Sequence, residues 1–370
     1  MRLAILVPLR NPGSGGFFKH FNEVISCWIR NKNFREIGVY TSNISLEKIK
    51  ELGVKVNHVP YSFFSSDYSN LNQILKRNKY DVAFCVTARP LKSIYLPLVT
   101  LVQNIEPIQK PIYKMPILWR MRRLYLRREH KIACRKSNRI IAVSNYVKNE
   151  VCRNFKVKSQ KVDVVYHGFN QADTRSLNKP DILKFNSSFL FSAGSIVPYR
   201  GYEDIIRAVS FLISKGREDL RIVFAGSKSK LAKQYIKFLR KLAKSNKLDD
   251  KIVWTGQLSH NEMTWCFQNS KLFIQTSRAE SFSNIQVEAM GNRCICISCD
   301  QSPMPEILRN AAIYYKINNY RSLASKIQEA LEMSDKEKKL IRKIAIKRAK
   351  FFSWEKTAEE TFASLNQAAL

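Results

Sequence analysis

The chain has 370 residues, of which 45% are hydrophobic and 25% charged. These are ordinary globular values, and the length suits two domains of roughly 100–200 residues each. No apolar run reaches the roughly 18 residues of a membrane-spanning helix. The short apolar start of the chain predicts a buried first strand and no signal peptide, which favours a cytoplasmic protein. The net charge of +33 predicts a polyanionic partner: nucleic acid, a phosphate-rich substrate or an anionic membrane face.

Short apolar runs alternate with longer amphipathic stretches through the first half of the chain. Strands this continuous, separated by helices, favour a parallel sheet covered on both faces. The predicted strands are 2–9, 37–42, 54–61, 81–87, 96–104, 139–144 and 162–170. The predicted helices are 17–32, 45–52, 69–78, 115–136 and 145–154.

The same alternation starts again after a polar segment without a clear period, residues 169–186, which we interpret as a linker. The predicted strands that follow are 187–195, 221–227, 251–256, 271–277 and 293–299, and the predicted helices are 202–216 and 228–246. We therefore expect two α/β domains with a cleft between them, residues 1–168 and 187–350. Ligands of such sheets bind beyond the carboxyl ends of the strands.

Cysteines offer little support for a metal site. The only close cluster is Cys294, Cys296 and Cys299, which lies in a run typical of a buried strand. Alternate residues of a strand point to opposite faces, so these thiols do not converge on one ion. We expect buried core thiols and no metal.

The segment 278–298 carries the strongest chemical signal. Glu280 follows a predicted strand, and Ser283 and Gln286 have the spacing of a capping box at the start of a helix that ends near Gly291. The free N–H groups at such a helix start can hold a phosphate. Glu288 lies about one and a half turns into the helix, where it could accept hydrogen bonds from a ribose.

This segment resembles the E-x7-E signature of glycosyltransferase family 4, whose members have the GT-B fold: two Rossmann-like domains facing across a cleft, with a C-terminal helix crossing back to the N-terminal domain. The resemblance implies that Glu280 contacts the transferred sugar and that Glu288 holds the ribose. It also implies that a loop meets the sugar and diphosphate through its backbone. That loop consists of Ser281, Phe282, Ser283, Asn284 and Ile285.

The segment 191–208 resembles the family's G-R-x(4)-K-G-like loop, whose cations neutralise the diphosphate. Arg200 occupies the Lys position and can grip a phosphate with two N–H groups. Ser195, next to Gly194, stands where the family usually has Arg, which leaves one fixed cation fewer. Without the family resemblance, the alternative interpretation of Arg200 is a solvent-exposed charge on a loop.

The N-terminal domain offers weaker candidates. In the family the first Gly-rich turn approaches the donor phosphate, which implies contacts from Gly15 and Gly16; a tight turn alone explains them equally well. Gln103 and Asn104 stand where many members have His, so a hydrogen-bonding role toward acceptor or sugar remains. His167 lies at the end of the domain and is either a hinge residue or a member of the acceptor side.

Residues 116–139 predict a basic amphipathic helix. Its pattern suits an anionic membrane surface, or a core-facing helix with a solvated basic back. Its apolar positions at helical spacing are Ile117, Leu118, Met121, Leu124, Tyr125 and Ile132. Residues 351–370 resemble the family's closing helix, with Trp354 as its anchor.

The resemblance covers nearly the whole chain and implies a retaining, hexosyltransferase-type glycosyltransferase. It would use a nucleotide-sugar and a lipid-linked or saccharide acceptor in cell-surface polysaccharide biosynthesis, of the lipopolysaccharide or capsule type. It would work without metal or other cofactor, peripherally bound to the inner face of the cell membrane. Two alternatives stay open: a nucleic-acid-binding protein without enzyme activity, suggested only by the charge, and a sugar-nucleotide epimerase of the same fold.

Overall fold

The computed structural model describes residues 1–8, 15–41, 52–59, 69–91, 94–111, 117–171, 177–185, 188–227 and 232–370. Contacts divide the chain into two compact units. The chain up to Gly168 and the segment Phe352–Leu370 contribute to the first unit, whereas Phe169–Phe351 form the body of the second.

The first unit contains a parallel sheet in the order β3-β2-β1-β4-β5-β6-β7. Its strands are β1 Arg2–Val7, β2 Glu36–Thr41, β3 Lys55–His58, β4 Val82–Cys85, β5 Leu98–Val102, β6 Arg139–Ala142 and β7 Val162–Val164. Its helices are α1 Gly15–Arg30, α2 Ser69–Arg77, α3 Ile117–Lys136, α4 Asn145–Phe155 and α12 Trp354–Ala369. All seven predicted strands are confirmed; β2 has its predicted length but begins one residue earlier, and the other six are shorter than predicted. The predicted helix 45–52 falls almost entirely outside the described residues.

The second unit contains a parallel sheet in the order β10-β9-β8-β11-β12-β13. Its strands are β8 Leu190–Ala193, β9 Ile222–Ala225, β10 Ile252–Gly256, β11 Leu272–Gln275, β12 Cys296–Cys299 and β13 Ala312–Tyr315. Its helices are α5 Tyr202–Ile213, α6 Lys233–Ser245, α7 His260–Asn269, α8 Asn284–Gly291, α9 Met304–Leu308, α10 Tyr320–Glu332 and α11 Asp335–Lys350. The sequence pattern did not predict β13, α7 or α9–α11. Both sheets are parallel and both units are Rossmann-like, as expected.

The order of the second sheet determines where its loops meet. Strand β8 lies between β9 and β11, so the chain moves outward from β8 in one direction and later returns to its other side. Loops leaving two strands at such a reversal separate and open a crevice at the carboxyl ends of the strands. The loops after β8 and β11 therefore flank the natural ligand position of this unit.

The last helix completes the core of the first unit. Helix α12 packs against α1, and the Trp28 indole Nε1 donates to the Ala358 carbonyl at 2.9 Å. Thr357 Oγ1 donates to the Tyr166 carbonyl at 2.7 Å. Trp354 is almost fully buried, and a Cβ on Gly168 would lie 2.4 Å from its backbone nitrogen, so only glycine fits there.

Two histidines form a buried pair beneath this tryptophan. The Nδ1 atoms of His20 and His167 are 2.8 Å apart, and both rings lie against Trp354. One ring must donate and the other accept, so the contact needs neutral imidazole on the accepting side. Burial lowers the pKa of His20 from its ordinary value of 6.5 to about 4, and it holds the pKa of His167 well below its usual range.

We expect acid to destabilise the first unit through this pair. Because the folded pKa of His20 is lowered, the unfolded chain binds more protons between about pH 4 and 6.5, and stability falls as the pH falls through that window. The lowered pKa of His20 corresponds to a loss of roughly 3 kcal/mol in the free energy of unfolding once the imidazole is protonated in both the folded and the unfolded chain. Replacing His20 by Gln should weaken this pH dependence, as measured by urea unfolding at about pH 7 and about pH 4.5.

The matched control is His260→Gln, because His260 is exposed on α7. This variant should keep the wild-type pH dependence. An unchanged pH dependence in His20→Gln would show that the buried pair does not couple protons to folding.

Candidate functional site

Two loops of the second unit are tied together at the carboxyl ends of β8 and β11. Thr276 Oγ1, just after β11, donates to the carbonyls of Arg200 and Gly201 at 2.8 and 2.9 Å. The Arg278 N–H donates to the Tyr199 carbonyl at 2.7 Å. The loop that contains Arg200 therefore cannot move independently of the loop that contains Glu280.

Glycine at position 201 makes this approach possible. Gly201 has a φ of 66°, in the left-handed region, and a Cβ there would lie 2.7 Å from the Thr276 carbonyl oxygen. Any other residue would both strain the backbone and separate the loops. Gly194, at the start of the same loop, has a φ of 138°, and its carbonyl accepts a hydrogen bond from Tyr202 Oη at 2.8 Å.

A buried arginine anchors both loops to helix α5. The Arg278 side chain is only 7% exposed, and its Nη1 and Nη2 donate to Glu203 at 2.6 Å and to Asp204 at 2.7 Å. Its Nε donates to Asn318 Oδ1. Burial raises the pKa of Asp204 despite the opposing effect of Arg278, and the two carboxylates raise the pKa of Arg278 although burial opposes this. This network was not predicted; its signal in the sequence was a charged residue directly after the predicted strand 271–277.

The central contact of the candidate site joins Arg200 to Glu280. Arg200 Nη1 donates to Glu280 Oε1, and both side chains are largely buried. Burial disfavours the charged guanidinium, but the neighbouring Glu280 outweighs it and raises the pKa of Arg200. Arg200 Nε is also buried and has no hydrogen-bond partner among the described residues. The site thus holds a permanent cation with a buried N–H group that has no acceptor among the described residues.

A row of polar side chains continues from Glu280 to helix α8. Gln275 Nε2 donates to Glu280 Oε1 at 2.6 Å, and Gln275 Oε1 accepts from Ser283 Oγ at 2.8 Å. Ser283 also donates to Gln286 Oε1 at 3.3 Å. Gln275 was not predicted from the sequence as a hydrogen-bond partner of Glu280. A glutamine that ends the apolar strand LFIQ was the available signal.

The capping box predicted for Ser283 and Gln286 is wrong. Ser283 does precede the first residue of α8, but its φ of 74° is left-handed and its side chain makes no capping hydrogen bond. The hydroxyl is instead used by Gln275. The predicted helix end is confirmed, since α8 ends at Gly291 with Asn292 as its C-cap.

The predicted donor residues of this unit fall on the two loops and on α8. Ser281, Phe282 and Ser283 are buried, and Glu288 lies half-buried in the middle of the helix. The first N–H groups of any helix have no partner within it, so α8 directs free donors toward the end where Glu280 lies. The loop after β8 contributes Gly194, Ser195 and Arg200.

The predicted acceptor-side residues belong to the first unit. Gln103 Nε2 donates to the Val86 carbonyl at 3.1 Å, whereas Asn104 is exposed and its Oδ1 accepts from the Glu106 N–H. His167 is buried against His20. The six residues before Gly15, which opens α1 together with Gly16, lie outside the described part of the chain.

Helix α3 does bury one face in the first unit, through residues such as Trp119, Leu126 and Cys134, but the core-facing alternative is wrong for the predicted apolar stripe. Arg123 and Arg127 turn inward and donate to backbone carbonyls between Glu106 and Gln109. Helix α3 is therefore held in place by the hydrogen bonds of these two arginines and by its buried side chains. The predicted apolar stripe faces outward. Its exposed members are Ile117, Leu118, Met121, Leu124 and Tyr125.

The three clustered cysteines are buried, as expected. Burial raises the pKa of Cys294 to about 11 and that of Cys299 to about 12, so both thiols stay protonated. Within the described ranges, no group of three or more His, Cys, Asp or Glu residues is arranged to hold a metal ion. Within the same ranges, every helix is too short or too polar to cross a bilayer.

Comparison with known proteins relates both halves of the chain to one class. Residues 36–173 match the model for Glycosyltransferase Family 4, and residues 175–347 match the model for glycosyl transferases group 1. The O-antigen chain mannosyltransferase RfbU of Salmonella typhimurium is 22% identical over 224 residues, which are 58% of this chain and 57% of that protein. The chain thus spans less than two thirds of the length of this curated relative.

Solved structures share the fold at low identity. A glycosyltransferase from Rickettsia africae aligns with a TM-score of 0.79 and 16% identity over 99% of this chain and 98% of that one. Anabaena HepE, solved in complex with UDP and glucose, aligns with a TM-score of 0.75 and 16% identity over 99% and 100%. These likenesses extend over both units and show the GT-B type of fold.

Replacing Arg278 by Met should destabilise the second unit strongly. The change leaves two buried carboxylates without their cation, a loss of roughly 3–5 kcal/mol in unfolding free energy. Arg217→Met is the matched control, because Arg217 pairs with a half-exposed Asp219 and should cost less than about 1 kcal/mol. Denaturant unfolding of both variants measures the difference, and equal losses would contradict the anchoring role of Arg278.

Proposed function

This chain belongs to glycosyltransferase family 4, and from that premise we propose that it transfers a sugar from a nucleotide-sugar to a lipid-linked or saccharide acceptor. The observation that carries the proposal is the contact of Arg200 with Glu280 beside the start of α8. Both side chains lie where the loops after β8 and β11 meet, at the reversal of strand order in the second sheet.

The diphosphate of the donor is bound by Arg200 and by α8. The buried Nε–H of Arg200 lacks an acceptor, and a phosphate oxygen supplies one. The first N–H groups of α8 add a second source of positive potential. Because Ser195 stands where the family usually has a second cation, Arg200 provides the fixed positive charge of this loop.

Glu280 and Glu288 bind the two sugars of the donor. Glu280 accepts from both Arg200 and Gln275. When Arg200 turns to the diphosphate, Gln275 still holds the carboxylate, which can accept hydrogen bonds from hydroxyls of the transferred sugar. Glu288, in the next turns of α8, binds the ribose hydroxyls.

Transfer proceeds with retention at the anomeric carbon. The acceptor hydroxyl attacks on the face from which the nucleoside diphosphate leaves; the bond from C1 to the phosphate oxygen breaks and a bond to the acceptor oxygen forms. The acceptor proton passes to the leaving phosphate oxygen. Arg200 and α8 stabilise the negative charge that grows on that group, so the mechanism invokes no metal ion.

The first unit binds the acceptor, with Gln103, Asn104 and the start of α1 at Gly15 and Gly16 as candidates and His167 as a buried support. Similarity to an O-antigen mannosyltransferase supports a role in cell-surface polysaccharide biosynthesis. Helix α3 docks on the inner face of the cell membrane. Its exposed apolar residues and its exposed cations Arg120, Arg128 and Lys131 together suit an anionic bilayer surface.

Binding of a sugar nucleotide should raise the unfolding temperature. A ligand at a hundred times its dissociation constant stabilises by roughly 2.7 kcal/mol, so a screen of UDP-, GDP-, ADP- and dTDP-sugars should show one active base. Glu288→Gln and Arg200→Met should each abolish most of the shift, because they remove the ribose and phosphate partners.

Glu329→Gln serves as control, since Glu329 pairs with Lys326 on the surface of α10. It should keep the full shift. If no sugar nucleotide binds wild type, or if Arg200→Met binds as well as wild type, the proposed donor site is wrong. Salt-dependent DNA binding in that case would support the nucleic-acid alternative.

Docking of α3 should be visible in vesicle pelleting. Arg120→Ser with Arg128→Ser should weaken binding to vesicles containing anionic lipid by roughly 2 kcal/mol, about 1 for each basic residue. Leu118→Ser with Leu124→Ser should also weaken it, and that loss should persist at high salt. Arg123 and Arg127 are left unchanged because they hold α3 to the first unit.

Lys339→Ser with Lys343→Ser provides the charge-matched control, on an exposed part of α11. It should pellet like wild type. Equal weakening in this control would show that net charge, and not α3, governs the attraction.

A further inference from the structure

A second basic surface lies on helix α6 of the second unit. At about 100° per residue, its five cations fall within an arc of roughly 100°, so they share one face of the helix. All five are exposed, and none forms an ion pair with any residue in the described ranges. They are Lys233, Lys237, Arg240, Lys241 and Lys244.

This face borders a concave space at the edge of the sheet. A cavity of about 470 Å³ lies between α6 and β10, the strand at one edge of the sheet. Its lining combines three of the five cations with one aromatic side chain, two aliphatic side chains and one carboxylate. The lining residues are Arg240, Lys241, Ala243, Lys244, Asp249, Ile252 and Trp254.

The helix that forms one wall is anchored to the donor unit by a tyrosine. Tyr235 Oη, on α6, accepts from the Tyr202 N–H at 3.0 Å and donates to Glu203. Trp254 on the opposite wall packs against Phe224, with ring centroids 4.7 Å apart. Both walls are therefore fixed by buried contacts, and the cavity belongs to the folded unit.

We propose that this cavity binds an anionic saccharide, a sugar ring that bears a phosphate or carboxylate group. Arg240, Lys241 and Lys244 offer N–H donors and positive charge to the anionic group. The face of Trp254 offers a flat apolar surface to a sugar ring, and Asp249 accepts hydrogen bonds from its hydroxyls. The volume lies within the roughly 300–1,000 Å³ of typical small-molecule sites.

The concave shape of the cavity favours a small ligand over a membrane surface, which a basic helix could also attract. A bilayer is flat and contacts exposed apolar residues such as those of α3, whereas Trp254 and Ile252 line a recess. The cavity is also separate from the donor site, because β9 lies between β10 and β8. In a glycosyltransferase the natural source of such a ligand is an acidic or phosphorylated glycan, and only this choice of source rests on the proposed function.

The test measures binding of glucose 1-phosphate by saturation-transfer and chemical-shift NMR, with methyl glucoside and inorganic phosphate as separate probes. Wild type should bind glucose 1-phosphate more tightly than either probe. Lys241→Ser with Lys244→Ser should weaken its binding about tenfold or more, as expected for loss of charged hydrogen-bond donors. Trp254→Leu should weaken binding of glucose 1-phosphate but not of inorganic phosphate, and Trp254→Phe, which keeps a ring, should lie between.

Lys339→Ser with Lys343→Ser should bind like wild type. The sugar-nucleotide thermal shift should be unchanged in the α6 variants, so failure of the donor site and failure of this cavity are distinguished. The proposal is overturned if glucose 1-phosphate does not bind, or if its binding is unaffected by the α6 substitutions. It is also overturned if the Trp254 variants bind both phosphates like wild type, since the cavity would then hold no sugar ring.

Discussion

The candidate site depends on one buried arginine, Arg278, which forms ion pairs with two carboxylates. Arg278 reaches back to Glu203 and Asp204, at the start of the helix that follows the Arg200 loop. This connection, together with the Thr276 hydrogen bonds, holds two loops from different strands at a fixed separation. Arg200 and Glu280 can therefore meet without their own contact having to hold the loops together. A ligand can then take over one partner without loss of the surrounding structure.

Much of the architecture could be predicted because parallel strands buried on both faces appear as uninterrupted apolar runs. The strands that carry the site, LFSA and LFIQ, were located in this way. The partners of Arg278 could not be, since they lie 74 and 75 residues away along the chain. Local spacing also misled at Ser283, where a capping pattern coincides with a left-handed backbone. Helix α3 shows the same limit, because its periodicity did not specify which face is covered.

The excess of positive charge is distributed in three ways. Some cations are internal supports, such as Arg278, Arg123 and Arg127. A second class surrounds exposed apolar residues on α3, and a third lines a recess beside α6. A single net charge therefore combines cations that support the structure with cations on two surfaces of different shape.

The first unit is assembled from two parts of the chain that are separated by the whole body of the second unit. Helix α12 follows the second unit in the sequence, yet it supplies Trp354 and the acceptor for Trp28 to the first unit, whereas the body of the second unit is one continuous stretch of chain. The unit that begins the chain thus cannot complete its core until the second unit has been translated. Until α12 has been synthesised, the strands that it covers, β4, β5 and β6, keep an uncovered apolar surface, and a surface of this kind favours aggregation of the nascent chain.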